Sequence, residues 1–363
     1  MTRVNYQTGK TKVEETSKSH TTRGRLTERD IIRTYIAPLT NLQPIELDCE
    51  DDAAVLEFPA GKLLVMTTDA IVEGTHFLSS DTPESLAKKA LRVNLSDLAA
   101  MGAHPIGYTL CLTMGSSITE DWLKRFFASL GEDNQNYRVS LLGGDINESE
   151  GPLNISVTAI GDVAEGGAIT RSGAHSGDRI YVTGTIGDAT LGLKVLQGEY
   201  GDLSDADKAF LIRRFCVPTP RHVLAQNLGN VVHAATDISD GFLLDLDLIC
   251  QASGLEAYVR VDRIPFSKAV KKMLKDTTPD DRTAFYQMLL SGGDDYELIF
   301  AASPGEADHI EYLAQRYSVP ITCIGHLGLK AEEGSAPAIN RINLIDEHGD
   351  QMPITELGYE HSW

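Results

Sequence analysis

The sequence predicts a two-domain α/β protein. Strand-like and helix-like hydrophobic patterns alternate along both halves of the chain. A glycine-rich stretch without periodicity, Gly161–Gly177, separates the halves. The length of 363 residues suits two domains of ordinary size, or one large one. Each half also contains a strand ending in Thr-Asp and a Gly-Gly-Asp, although no short-period repeat is present.

Residues 1–23 are polar and aperiodic and read as a disordered extension. The first domain is then expected over 24–165 and the second over 166–363. Thr27–Ile36 reads as an amphipathic helix, and Ala53–Leu56 and Leu63–Thr68 as strands. Glu84–Met101 and Glu120–Gly131 read as helices, and Ile155–Ala159 alternates as a strand does. In the second half, Arg179–Val182, Val231–Ala235, Ala257–Val261, Leu298–Ala301 and Ile321–Ile324 read as strands. Phe242–Ala252 reads as a helix with Phe242, Leu243, Leu246, Ile249 and Cys250 on one side. Residues 328–342 read as a loop or appended hairpin.

A hydrophobic content of 42% is enough for a core, and no apolar run approaches the ~18 residues that cross a bilayer. The polar N-terminus does not resemble a secretory signal. The five cysteines, at 49, 111, 216, 250 and 323, are widely spaced and include no CxxC. They suggest neither a structural zinc site nor a disulfide framework, and the chain reads as cytoplasmic. A net charge of −20 repels nucleic acid and anionic membrane surfaces. It describes a soluble acidic surface, some of whose carboxylates are candidates for holding divalent cations.

Six carboxylate-bearing motifs stand out: Asp51-Asp52; Asp69 after Thr67-Thr68, followed by Glu73 and His76; Asp97; Gly143-Gly144-Asp145; Asp237-Ile238-Ser239-Asp240-Gly241; and Gly292-Gly293-Asp294-Asp295. On a helical wheel Asp97 falls with Leu86, Ala90 and Val93, whereas Lys88, Lys89, Arg92 and Ser96 gather on another side. A carboxylate on the apolar side must be protonated, paired or metal-bound. Capping of a neighbouring backbone is the competing account.

The 237–241 motif joins an apolar strand to an amphipathic helix, a geometry that offers backbone N–H groups to phosphate. N-capping by Ser239 or Asp240 fits the same residues. Glycines at 143 and 144 permit close backbone approach to a ligand and equally make a turn. Thr67, Thr68 and Asp69 supply hard oxygen ligands suited to magnesium, or simply a polar strand end. His76 alone reads as structural; Arg171 offers a planar donor fork or a surface ion pair. The chain has no GxxxxGK[ST], GxGxxG opening a helix, HRD…DFG set, HExxH or GxSxG. Phosphoryl transfer, if present, must rest on aspartates and magnesium.

In order, these motifs resemble the thiamine-monophosphate kinase family, of the aminoimidazole ribonucleotide synthetase-like superfamily. The matching stretches are Asp51–Val55, TTDAIVEGTHF (67–77), KALRVNLSDLAAMGA (89–103), LLGGD (141–145), ITRSGAHSGDRIYVTG (169–184), DISDGFLLDL (237–246), SGGDDYEL (291–298) and GYEH (358–361). The resemblance implies a two-domain fold whose N-terminal sheets pair across a homodimer. It implies ATP as co-substrate, several Mg2+ ions, and direct transfer to thiamine monophosphate.

Carried over, it makes Asp52, Thr67, Thr68, Asp69, Asp97, Asp145, Asp237 and Asp240 magnesium ligands. Gly144, Asp145, Arg171 and Ser239 become ATP contacts, and His76, Asp294 and Tyr359 contacts to thiamine monophosphate. Asp240, Asp97 and Arg171 are the expected catalytic residues. The chain departs from the family at Glu50, where the family has Gly, and at Asp294, where it has Glu. The competing expectations are another ATP-dependent enzyme of the superfamily, or a non-catalytic magnesium–nucleotide binder.

Overall fold

The structure, a computed structural model, describes residues 26–40, 53–56, 58–329 and 341–360. The expected extension at 1–23 and most of the 328–342 loop lie outside them, as do Glu50 and Asp52. The first unit comprises α1 (Glu28–Ile31), β1 (Lys62–Val72), α2 (Pro83–Ala100), β2 (His104–Met114), α3 (Glu120–Tyr137), β3 (Ser140–Glu148) and β4 (Asn154–Ala164). The second comprises β5 (Arg179–Thr183), α4 (Asp188–Leu196), α5 (Asp205–Cys216), α6 (His222–Ala225), β6 (Ala234–Asp237), α7 (Phe242–Ser253) and β7 (Glu256–Arg260). It continues with α8 (Lys268–Asp276), α9 (Pro279–Ser291), β8 (Leu298–Ala302), α10 (Ala307–Tyr317), β9 (Ile321–Gly328), β10 (Ile342–Ile345) and β11 (Gln351–Met352).

Two sheets result. The first has the order β1-β4-β2-β3, and the second β11-β10-β7-β9-β5-β8-β6. In the first, β4 alternates between core residues (Ile155, Val157, Ala159) and half-exposed ones (Ser156, Thr158, Ile160). Helix α2 packs on the inner face with α3 beside it. No described element covers the opposite face, and edge strand β1 exposes Leu64 (55%) and Met66 (68%) there.

The second sheet is covered on both sides. One cluster gathers Phe242, Leu243, Leu246, Ile249 and Cys250 of α7, the side read from the sequence, with Val182 and Ile299. Another gathers Leu224, Leu228, Phe300, Ile310 and Leu313. Ala99 and Ala100, at the end of α2, belong to this last cluster while the rest of the helix serves the first domain's core. The helix therefore spans both domains. Thr82 caps its start by accepting from the Ser85 amide, Pro83 occupies the first turn, and Gly102 (φ +69°) follows its end.

Several expectations are corrected. Ala53–Leu56 forms no strand. The strand expected at Val231–Ala235 is Ala234–Asp237, so Asp237 is its last residue rather than part of a following turn. The first part of Gly161–Gly177 continues β4 to Ala164. The 143–145 glycines sit within β3, not in a turn; a Cβ at Gly144 would overlap the Leu110 carbonyl of β2. That glycine is required by strand packing. The expected charged side of α2 is also largely inside: Lys89 and Ser96 are buried, and Arg92 forks onto buried Asp133 of α3 (2.6 and 2.8 Å) and donates to the Pro218 carbonyl (2.9 Å).

Arg92→Ala strips the charge partner from a buried carboxylate. Its expected cost is about 3–5 kcal/mol, read as a lower denaturant midpoint at unchanged m-value.

Candidate active site

Three elements meet where α2 crosses from the first sheet to the second. β1 ends beside the helix, β6 points its last residue at it, and the loop after α9 closes the corner. Because strand residues alternate in direction, Thr67 and Asp69 face α2 whereas Thr68 faces the uncovered side. Thr67 Oγ1 donates to Asp97 Oδ2 (2.6 Å), and the Asp69 amide donates to Asn94 Oδ1 (3.1 Å). Ser96, one residue before Asp97, donates to Asp237 Oδ2 (2.6 Å).

The carboxylates of Asp69, Asp97 and Asp237 are crowded together. Burial, then repulsion from Asp237 and Asp69, pushes Asp97 up to about 8. Asp237 is raised to about 7, chiefly by burial and further by Asp245 and Asp69, against the Ser96 hydrogen bond. Burial raises Asp69 as well. Full ionisation of this group near neutral pH requires positive charge among the oxygens. Carboxylates and a threonine hydroxyl are hard oxygen donors of the kind that suit a small divalent cation, although the three carboxylates do not all lie within 4.8 Å of one another as one ion's ligands would.

The turn after β6 is built differently from the expectation. The amides of Ser239, Asp240 and Gly241 all donate to Asp245 Oδ2 (3.1 Å each). They are therefore occupied and form no phosphate cradle. Neither Ser239 nor Asp240 caps α7; its N-cap is Gly241 at φ +134°, where a Cβ would press on the Ser291 carbonyl. The 291–297 loop is laced onto the same turn, with Asp294 N donating to Ser239 O and Tyr296 N to Ile238 O (2.8 Å each). Asp294 itself has φ +67°. The C-terminal segment closes the other flank through Tyr359 N to Asp240 O (2.9 Å).

Two cavities of about 480 and 500 Å3 meet at Asp97. Asp69, His76, Ser239, Asp240, Asp294 and Tyr359 line the first. Thr67, Thr170, Arg171, Thr236 and Asp237 line the second. Arg171 Nε donates to Thr236 Oγ1 (3.2 Å) there. The His76 ring accepts the Val72 amide at Nδ1 (3.1 Å), which puts a neutral ring's proton on Nε2.

Most expected site residues thus converge. Thr68, Gly144 and Asp145 do not. β1 and β3 are opposite edges of the first sheet, and Asp145 registers with Cys111, Ser156 and Ala70 across it. Three strand spacings put it ~14 Å from β1. Asp145 and Thr68 share the uncovered face.

Sequence reasoning missed the roles of five residues. Lys89 is buried beneath the first cavity, its Nζ donating to the His76 carbonyl (3.0 Å), 3.4 Å from Asp294 Oδ2 and 3.7 Å above the Phe215 ring. Ser96 and Asn94 orient Asp237 and Asp69. Asp295 is fully buried and accepts the Gly187 and Ala189 amides at the start of α4 (2.6 and 3.2 Å). Only Asp245 left a signal, an acid in the first turn of an otherwise apolar helix.

The chain matches the family model for the AIR synthase related protein N-terminal domain over residues 50–163 and that for its C-terminal domain over 175–334. It is 39% identical over 310 residues to thiamine-monophosphate kinase of Haemophilus influenzae, covering 85% of this chain and 91% of the relative. Among solved structures it is similar to thiamine-monophosphate kinase from Stenotrophomonas maltophilia K279a: TM-score 0.72, 37% identity, 81% of this chain and 89% of the other. It is also similar to AaThiL complexed with AMPPCP and TMP: TM-score 0.69, 28% identity, 86% and 91% covered.

The raised carboxyls set a pH dependence. Their folded-state affinities for protons exceed the unfolded one, so they favour folding at low pH and penalise it as pH rises from ~4 through the values of about 7 and about 8. In chelator, Tm is expected to fall between pH 5 and 8.5. Mg2+ is expected to raise Tm more at pH 8.5 than at 5; an equal rise at both would contradict the crowded-carboxylate account.

Proposed function

The chain belongs to the thiamine-monophosphate kinase family, and we propose on that premise that it phosphorylates thiamine monophosphate to thiamine diphosphate with ATP. One observation supports this reading most: two cavities of similar size meet at a cluster of carboxylates. Such an arrangement suits a donor and an acceptor whose reacting phosphates are brought nose to nose. The AaThiL structure holds AMPPCP and TMP together.

We assign the Arg171 side to the nucleotide, with Ser239 at the junction, and the His76, Asp294 and Tyr359 side to thiamine monophosphate. Thr67, Asp69, Asp97, Asp237 and Asp240 are the proposed magnesium ligands; Asp52 belongs to the same proposal but lies outside the described residues. Magnesium, when bound, supplies positive charge that shields the phosphate oxygens and lets the carboxylates ionise. The protein's own contribution is positioning. Arg171, braced by Thr236, presents a donor fork to phosphate. Lys89 holds Asp294 and the His76 backbone in place from below. Asp294, shorter than the family's Glu, is fixed further by the Tyr296 hydroxyl (3.1 Å).

The acceptor monophosphate is already ionised near neutral pH, so no strong general base is needed. Its oxygen bonds to the γ-phosphorus as the bond to the β,γ-bridging oxygen breaks, and ADP leaves with that electron pair. In-line positioning and charge neutralisation carry the rate.

Thr68 and Asp145 find a role in a homodimer. In this proposal a second copy packs its uncovered sheet face against the first, β1 edge to β3 edge. That buries Leu64 and Met66 and carries the second copy's Gly144 and Asp145 toward Thr68. The proposed division of the domains at 165/166 falls in the stretch between the two family models, 163 to 175. Among the described residues, no helix is long and apolar enough to cross a membrane. The described cysteines, 111, 216, 250 and 323, are free. Both fit a cytoplasmic enzyme.

ADP release from ATP and Mg2+ is expected to require thiamine monophosphate. Asp240→Asn, which removes a cavity charge, is expected to lower kcat by about 100-fold or more. ADP release indifferent to thiamine monophosphate would sink the assignment. Met66→Glu is expected to shift the protein from dimer to monomer in light scattering and to abolish turnover; a monomeric wild type overturns the shared site.

A further inference from the structure

At the joint of the domains, three side chains that line neither cavity converge without a separate hydrogen for each close contact. The loop before β5 carries His175 and Asp178, and His233 directly precedes β6. His233 Nδ1 lies 2.8 Å from Asp178 Oδ2. His175 Nδ1 lies 3.2 Å from His233 Nδ1 and 3.9 Å from Asp178 Oδ2. The rings meet edge to face, 4.6 Å between centroids.

Consider the neutral rings. His233 Nδ1 must carry its hydrogen to bond Asp178, and a protonated ring nitrogen has no lone pair for His175. If His175 donates instead, His233 turns a lone pair toward the carboxylate. In the first arrangement His175 Nδ1 gets at best a share of the hydrogen already given to Asp178; in the second the contact to the carboxylate is repulsive. Yet the group is built to hold this shape. Asp178 is buried, and its Oδ2 accepts the His175 amide (2.7 Å). His233 is pinned by its own amide to the Ala301 carbonyl (2.8 Å), and a Cβ at Gly173 would press on the His233 carbonyl.

A cation among the three atoms removes the conflict. Tetrahedral zinc at 2.0–2.1 Å from two imidazole nitrogens spaces them by about 3.3 Å; here they are 3.2 Å apart. We propose that His175, Asp178 and His233 form a second metal site, selective for a zinc-class divalent transition ion. Two imidazoles and one carboxylate are borderline donors, which favour zinc, cobalt or nickel over magnesium. The exposed His175 side leaves the fourth position to water. The ion ties the 170–178 loop to β6, reinforcing the Ala235 N to Thr170 O bond (3.0 Å) and the Arg171 to Thr236 contact. It is thus a staple on the strand that delivers Asp237.

The test uses untagged full-length protein, stripped with chelator and then saturated with Mg2+ to occupy the oxygen site. Co2+ is expected to produce a visible tetrahedral absorption band at one equivalent, displaced by Zn2+, and Zn2+ is expected to raise Tm. His175→Asn, at an exposed position that spares the fold, is expected to weaken Co2+ binding more than tenfold and to lose the Zn2+ rise in Tm. Its Tm without transition metal is expected to match wild type. Asp240→Asn is expected to keep the band. A band retained in His175→Asn, or no Co2+ bound by wild type above the Mg2+ background, overturns the site.

Discussion

Asp69, Asp97 and Asp237 are brought together from two sheets at a depth where they repel one another. Each comes from a different element: the interior of edge strand β1, the last turn of α2, and the last residue of β6. Folding drives them together because the helix between them is buried along most of its length. The charge conflict is therefore a by-product of hydrophobic packing, held in place by far more apolar contact than it costs. A site of this kind is preorganised for cations before any cation arrives, and its hydroxyl partners, Thr67 and Ser96, already aim the oxygens.

Around that cluster the backbone is secured by buried acids that have other work. Asp245 gathers three consecutive amides of the 239–241 turn, and Asp295 gathers two at the start of α4. Glu297 takes Arg214 and Arg221 and accepts the Thr183 hydroxyl. Part of the chain's large complement of acid is thus structural: buried, hydrogen-bonded to the backbone or to arginine, and remote from solvent. The excess of acid is not simply a soluble coat.

How much of this was legible in the sequence follows the range of the interactions. Residues marked by local punctuation were legible. An expected strand end gave Asp69, although β1 runs on to Val72; glycines gave Asp294, and a helical wheel gave Asp97. The apolar side of α7 was read residue for residue. What depends on strand order was not legible. Nothing near Gly143-Gly144-Asp145 states that β3 lies at the far edge of its sheet, so a motif grouped with Asp69 by type stands apart from it in space. Period two likewise splits Thr67-Thr68-Asp69 between two faces. Lys89 was assigned to a charged side because a wheel registers polarity, and it cannot show a neighbouring domain descending to cover that side. His175 and His233 are 58 residues apart, and only the fold makes them neighbours.

The double membership of α2 in both domains' cores has a mechanical consequence. A hinge that swings one domain about the other would have to pull Ala99 and Ala100 out of the cluster that holds Leu224 and Phe300, or peel the rest of the helix from its sheet. Such a joint is stiff, and the catalytic corner behaves as the fixed jaw of a vice. The chain around Gly358 and Tyr359 is tied to that corner by the Leu244 N–Leu357 O and Tyr359 N–Asp240 O hydrogen bonds, so a change at the C-terminal segment is felt at the Asp240 turn.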